Sequence, residues 1–143
     1  MGAYFGLGTT EAILSDLYTQ ILAISGMQTV DWQRAEDKEA DIENYPGVYI
    51  NYRDIERRKL LKDLFKNTFT VILVGWVWVA EGGDLGTAIN TLILNLRTAV
   101  LADPYRNSNA YDTEVRFVAT DGGSRYPQGQ MIMDLMITFF SEV

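Results

Sequence analysis

Thr68-Phe69-Thr70-Val71-Ile72-Leu73-Val74-Gly75-Trp76-Val77-Trp78-Val79-Ala80 is the stretch on which the fold turns. Nearly every position is β-branched or aromatic. Residues of both parities are apolar, so in a strand both faces need cover. That is the pattern of a central strand with layers packed on each side. The apolar run Phe69 to Ala80 is about 12 residues long, short of the roughly 20 that a membrane-spanning helix requires. Gly75 in its middle predicts a bulge or a close backbone approach. Trp76 and Trp78 share a face and read as core or subunit interface, because a stacking platform for bases or sugars would lie exposed beside a positive groove.

Downstream, Gly82-Gly83 makes a turn and Asp84 is placed to cap a helix. Leu85, Ala88, Ile89, Leu92, Ile93, Leu96 and Val100 repeat at helical spacing, and Asp103-Pro104 ends the helix. Tyr111, Thr113, Val115, Phe117 and Ala119 alternate with polar residues as a half-exposed strand. After the turn-rich segment Asp121 to Gly129, Met131, Met133, Leu135, Ile137 and Phe139 alternate in a long final strand.

Upstream, Thr10 is an expected N-cap with Glu11 at the positive helix end, and the apolar stripe from Ile13 to Leu22 predicts a helix ending near Gly26. Val30 and Trp32 suit a short strand. Arg34 to Tyr45 has no period and reads as a solvated acidic loop, mobile in the free subunit because it has little to bury against its ordering entropy. Pro46-Gly47 leads into the strand composition of Val48 to Tyr52. Arg53 to Lys66 is ambiguous: Ile55, Leu60, Leu61, Leu64 and Phe65 suit a short helix, given the edge here, while the flanking strands alternatively extend into a hairpin arm. The expected order is α-β-β-(α or arm)-β-α-β-β. The fold class is α+β, a mixed, mainly antiparallel sheet with helices on one face, in a single domain over residues 1–143. Ile72, Val74, Ile89, Leu92, Ile93, Leu96 and Leu135 are the expected core.

Composition narrows function by exclusion. The 143 residues include no Cys and no His, which removes thiol nucleophiles, Cys/His metal sites and histidine acid–base chemistry. Twelve Lys and Arg against 19 Asp and Glu give a net charge of −7, which disfavours binding driven by phosphate neutralisation. The first eight residues have no basic n-region and do not resemble a secretory signal. Gly82-Gly83-Asp84-Leu85-Gly86 lies where a phosphate loop would, but lacks the Lys-Ser/Thr pair and sets an acid where the phosphate belongs. Asp121-Gly122-Gly123-Ser124-Arg125 and the pair Asp41 and Glu43 lack an identifiable base or orienting partner, so turn and solvated-face readings are preferred. No enzyme, cofactor or metal is expected.

The charges are segregated. Asp31 to Tyr45 holds six acids and two bases, a net of −4, and Arg53 to Lys66 holds six bases and three acids, a net of +3. Arg57, Arg58, Lys59 and Lys62 on one side, with Glu36, Asp37, Glu39, Asp41 and Glu43 on the other, are therefore candidate halves of a head-to-tail assembly interface.

The order of elements resembles the tail-terminator, or tail-completion, proteins of long-tailed bacteriophages. The pieces that carry the resemblance are the helix Glu11-Ala12-Ile13-Leu14-Ser15-Asp16-Leu17, Tyr45-Pro46-Gly47-Val48-Tyr49-Ile50 leading into a strand, the strand Phe69-Thr70-Val71-Ile72-Leu73-Val74, the helix Leu92 to Asp103 and the closing strand Met131 to Phe140. The basic Arg57-Arg58-Lys59 stretch and the very apolar central strand depart from that pattern. The resemblance implies a structural virion protein, a homo-hexameric ring at the neck end of the tail, assembled in the host cytoplasm. Such a ring caps the tube, ends its polymerisation and meets the tail tube protein, the head–neck connector protein and, in contractile tails, the sheath. Six copies at −7 each would carry −42, so acids lining the lumen would let DNA pass without specific binding. No membrane partner is implied. Another neck or head–tail joining component, or a small soluble ligand- or peptide-binding module, stays open as an alternative.

Overall fold

The structure is a computed structural model that describes residues 7–32 and 45–142. The elements are α1 (Leu7–Leu22), β1 (Thr29–Trp32), β2 (Gly47–Leu61), β3 (Leu64–Trp78), α2 (Leu85–Ala102), β4 (Asp112–Thr120) and β5 (Gln128–Ser141). The five strands form one sheet in the order β1-β2-β3-β5-β4, with β3 in the middle. β1 runs parallel to β2 and every other pair is antiparallel, so the expected α+β class with a mixed, mainly antiparallel sheet is the observed one.

The two-sided apolarity of β3 is resolved as the sequence predicts. Phe69, Val71, Leu73 and Val77 join Val48 and Ile50 of β2 and alternate residues of β5, from Met131 to Phe139, on the face that both helices cover. α1 contributes Ile13, Leu17 and Ile21, and α2 contributes Leu85, Ile89, Leu92, Leu96 and Val100. On the opposite face Ile72, Val74 and Trp76 pack with Tyr49, flanked by Tyr45 and Ile132. Of the expected core residues, Ile93 alone is only half-buried, at the margin of the α2 stripe. By length and composition α2 could cross a membrane, but one stripe of it is buried in this core. Gly75 makes a close approach to side chains and interrupts no pairing: a Cβ there would lie 2.8 Å from both Leu92 Cδ2 and Met131 Sδ.

Three expectations need correction. α1 starts at Leu7, so Thr10 is buried inside the helix instead of capping it, and the helix ends at Leu22 before a turn through Gly26. Trp78, although it shares a face with Trp76, sits at the end of β3 and is 52% exposed, so of the two readings given to it, core and subunit interface, the core one is overturned. The largest correction is at Arg53 to Lys66, which forms the hairpin arm and not a helix. β2 and β3 stay paired from Gly47 opposite Trp76 out to Leu61 opposite Leu64, with irregularities between Tyr52 and Ile55 and between Lys59 and Leu61. The long β3 offers a pairing partner along the whole segment, and the ladder of backbone hydrogen bonds outweighs the helix propensity of its residues.

Candidate functional site

The arm gathers the predicted bases. Residues Tyr52 to Asp63 are all exposed, including Leu61 at 68%. Among the described residues β1 pairs with β2 from Gly47 to Ile50, and no described strand pairs with the outer edge of β2 from Asp54 to Leu61.

Arg57, Arg58, Lys59 and Lys62 lie on this one arm but do not share a face. Arg57 sits opposite Asn67, with its guanidinium carbon 3.8 Å from the centroid of the Phe65 ring, a cation–π contact on the helix-side face. Lys59 lies on that same face, opposite Phe65. Arg58 points the other way and stands directly opposite Lys66. Like charges paired across a ladder repel, so this is a spot that an external anion relieves. Lys62 is in the turn with Asp63. The acidic half of the expected interface, Glu36, Asp37, Glu39, Asp41 and Glu43, lies outside the described residues, as does most of the predicted acidic loop.

At the other end of the sheet β4 pairs, among the described residues, with β5 on one side only. Asp112, Glu114 and Arg116 are exposed there, and Arg116 reaches Asp134 of β5 at 3.7 Å. This second free edge was not singled out from the sequence. Its signal, the alternation from Tyr111 to Ala119, identifies a strand but not its place at a border.

The turn motifs resolve as backbone chemistry. Asp84 accepts hydrogen bonds from Thr87 N at 3.1 Å and Thr87 Oγ1 at 2.7 Å, capping α2, and these bonds hold its carboxyl below the ordinary range. Asp121 accepts from Gly123 N and Gln130 N, while the Arg125 guanidinium lies 5.4 Å from the Trp76 ring centroid, so Asp121, Ser124 and Arg125 form no common site. Among the described residues no acidic cluster suits a metal ion. A cleft of about 270 Å³ lies between α2 and the turn after α1, lined by Ile24, Met27, Tyr45, Pro46, Trp78 and Leu92 among others. That is just below the usual range of ligand-pocket volumes, roughly 300 to 1,000 Å³.

One buried ionic group has no sequence signature. Arg106 is fully buried in a left-handed turn, φ 49°, followed by Asn107 and Ser108 with φ of 56° and 67°. Its Nη2 donates to the carbonyls of Val100 and Asp103, closing the C-terminal end of α2, and its Nη1 lies 3.3 Å from Asp16 Oδ2 of α1. Burial raises the Asp16 carboxyl above its ordinary value against the opposing pull of Arg106, and burial lowers the Arg106 guanidinium. This group locks the two helices together and is structural.

The sequence matches no protein-family model and no curated protein.

Proposed function

We propose that this chain is a structural subunit of a phage tail terminator, a ring that caps the tail tube and presents a surface to the head–neck connector. The observation that carries the reading is the exposed basic arm formed by β2 and β3 beyond the part of the sheet that the helices cover. A surface of that kind works by contact with other chains. Head-to-tail contacts between unlike surfaces close into rings when the rotation permits. The element order that resembles tail terminators supplies the identity of the ring, and the net charge of −7 per chain suits a channel through which DNA slides without adhering. Electron microscopy of particles assembled without this protein tests the reading. Tails of abnormal length, unjoined to heads, are the expected result. Tails of normal length would remove the terminator assignment, and normal tails left unjoined would point to a different neck component.

A further inference from the structure

The face of the sheet turned away from the helices carries a buried acceptor that lacks a donor. Asp134, in the middle of β5, is only 6% exposed, and its Oδ1 has no hydrogen-bond partner among the described residues. Its Oδ2 lies 3.7 Å from Arg116 Nη2, beyond hydrogen-bond length, and Arg116 is itself half-exposed. Ile72 and Phe117 stand opposite Asp134 on the two neighbouring strands, and Ile132 and Met136 flank it on the same face of β5. A carboxylate in such apolar surroundings is costly until a charged donor meets it.

The arm carries the reciprocal deficit on the same face. Lys66 lies six residues before Ile72 along β3, which pairs with β5 without irregularity, so it shares the face of Asp134. Arg58 stands opposite Lys66 and Leu61 opposite Leu64, which sets a pair of like charges beside two leucines. Among the described residues no carboxylate pairs with Arg58 or Lys66. The arm cannot serve the Asp134 of its own copy. Lys66 is opposite Phe140, six residues along β5 from Asp134, and at roughly 3.4 Å per residue that is about 20 Å, beyond the reach of a side chain.

We propose, building on the ring reading above, that the arm of one copy lies on the helix-free face of the next, with the Arg58 guanidinium on the Asp134 carboxylate. Sheets packed face to face lie about 10 Å apart, a gap that an arginine and an aspartate together span. The planar guanidinium engages both carboxylate oxygens, and Arg116, loosely held at 3.7 Å, moves aside. Asp134 in turn supplies the anion that Arg58 and Lys66 lack across their own ladder, while Leu61 covers Phe117, both exposed in the single chain. Each copy gives one arm and receives another, so the contact is head-to-tail, as a ring requires.

The test uses Arg58→Glu and Asp134→Asn, with association followed by native mass spectrometry over a dilution series. Each single variant should associate at least about tenfold more weakly than wild type, the effect of removing one partner of a desolvated charge pair. Mixed together they keep one intact contact, Arg58 of one chain with Asp134 of the other, and should form a one-to-one dimer and nothing larger. Arg57→Glu, on the opposite face of the arm, should associate as wild type does. Urea denaturation at concentrations below association separates contact from folding: Asp134→Asn should unfold no earlier than wild type, because Oδ1 has no partner among the described residues to lose. Arg58→Glu lies on the exposed arm and decides the question alone if Asp134→Asn does not fold. Wild-type assembly that Arg58→Glu leaves unchanged, or mixed variants that both fold and stay monomeric, would overturn the contact and leave the ring reading standing. A wild-type chain that is monomeric at every concentration overturns the contact too, and tail length then decides the terminator reading separately.

Discussion

Replacing Arg106 by Met tests the group that joins α1 to the end of α2. The substitution keeps much of the aliphatic stem, so the loss reports on the charge and its donors more than on packing. Two terms are at stake. Two helix carbonyls, Val100 and Asp103, lose their charged donor, which costs about 1 to 3 kcal/mol. Asp16 also loses a cation 3.3 Å away, a Coulomb attraction of about 5 kcal/mol at an effective dielectric near 20, much of it already offset by the desolvation of both ions. Breaking one side of a buried pair typically costs about 3 to 5 kcal/mol, and that is the loss expected at pH 7. The pH dependence follows from the sign of the Asp16 shift. Its folded carboxyl is raised by burial, so the stability it contributes is present below its unfolded pKa and is lost as pH rises through the folded value. Without Arg106 that value rises further and the loss grows. Urea denaturation of wild type and variant at pH 3 and pH 7 should therefore show a smaller difference at pH 3, where the carboxyl is protonated in both states. Adding Asp16→Leu should recover part of the loss at pH 7. A difference below about 1 kcal/mol at pH 7, or one equal at both pH values, would refute the account of this pair.

Leu92→Ala should cost about 2 to 5 kcal/mol in chemical denaturation, by lost burial and the cavity left behind. Gly75→Val should cost about 1 to 3 kcal/mol by overpacking; combined with Leu92→Ala the loss should be less than additive, because the new methyls enter space vacated by Leu92 Cδ2. Asn67, buried, donates to the Phe139 carbonyl at 3.3 Å and to Ser141 Oγ at 2.9 Å. Asn67→Ala should cost about 1 to 3 kcal/mol, and hydrogen exchange should speed up first at the end of β5. Arg57→Glu, Arg58→Glu and Lys59→Glu together should leave the circular dichroism spectrum unchanged and abolish tail capping, with any residual assembly weakened by salt; capped tails of normal length would show that these bases are only a solvated face.

The elements most legible in the sequence are those whose pattern and neighbours agree. α2 has a cap at Asp84, an unbroken stripe and a stop at Asp103-Pro104, and it forms from Leu85 to Ala102. β3 declares itself by being apolar on both faces. The arm was not legible because Glu56, Arg57, Arg58, Lys59, Leu60, Leu61 and Lys62 are each good helix formers, while the information that makes them a strand lies in the partner to which they pair. The turn adds no signal, since Lys62 and Asp63 both have negative φ and lack the Asn-Gly or Asp-Gly signature of tight hairpins. The candidate interface was half legible. Charge segregation drew attention to the bases, but strand alternation divides them between two faces, and only the strand order reveals β4 as a border. Arg106 was illegible for a different reason: its role arises from a left-handed turn that returns the chain to α1, a contact no local spacing encodes.

The position of β5 between β3 and β4 has a consequence for biosynthesis. β2 and β3 can zip together as soon as the hairpin is made, but the second edge of β3, carrying Val71 to Trp76, gains its partner only when residues 128–141 have been translated. About sixty residues separate the end of β3 from the end of β5, which at roughly 5 to 20 residues per second is a delay of about 3 to 12 seconds. Throughout that interval the ribosome carries an apolar strand with an open border, and β4, which docks only through β5, cannot cover it. Chaperone engagement of the nascent chain should therefore begin after Trp78 and end with β5. Fragments that stop short of Gln128 should precipitate although they contain α1, α2 and the strands β1 to β4.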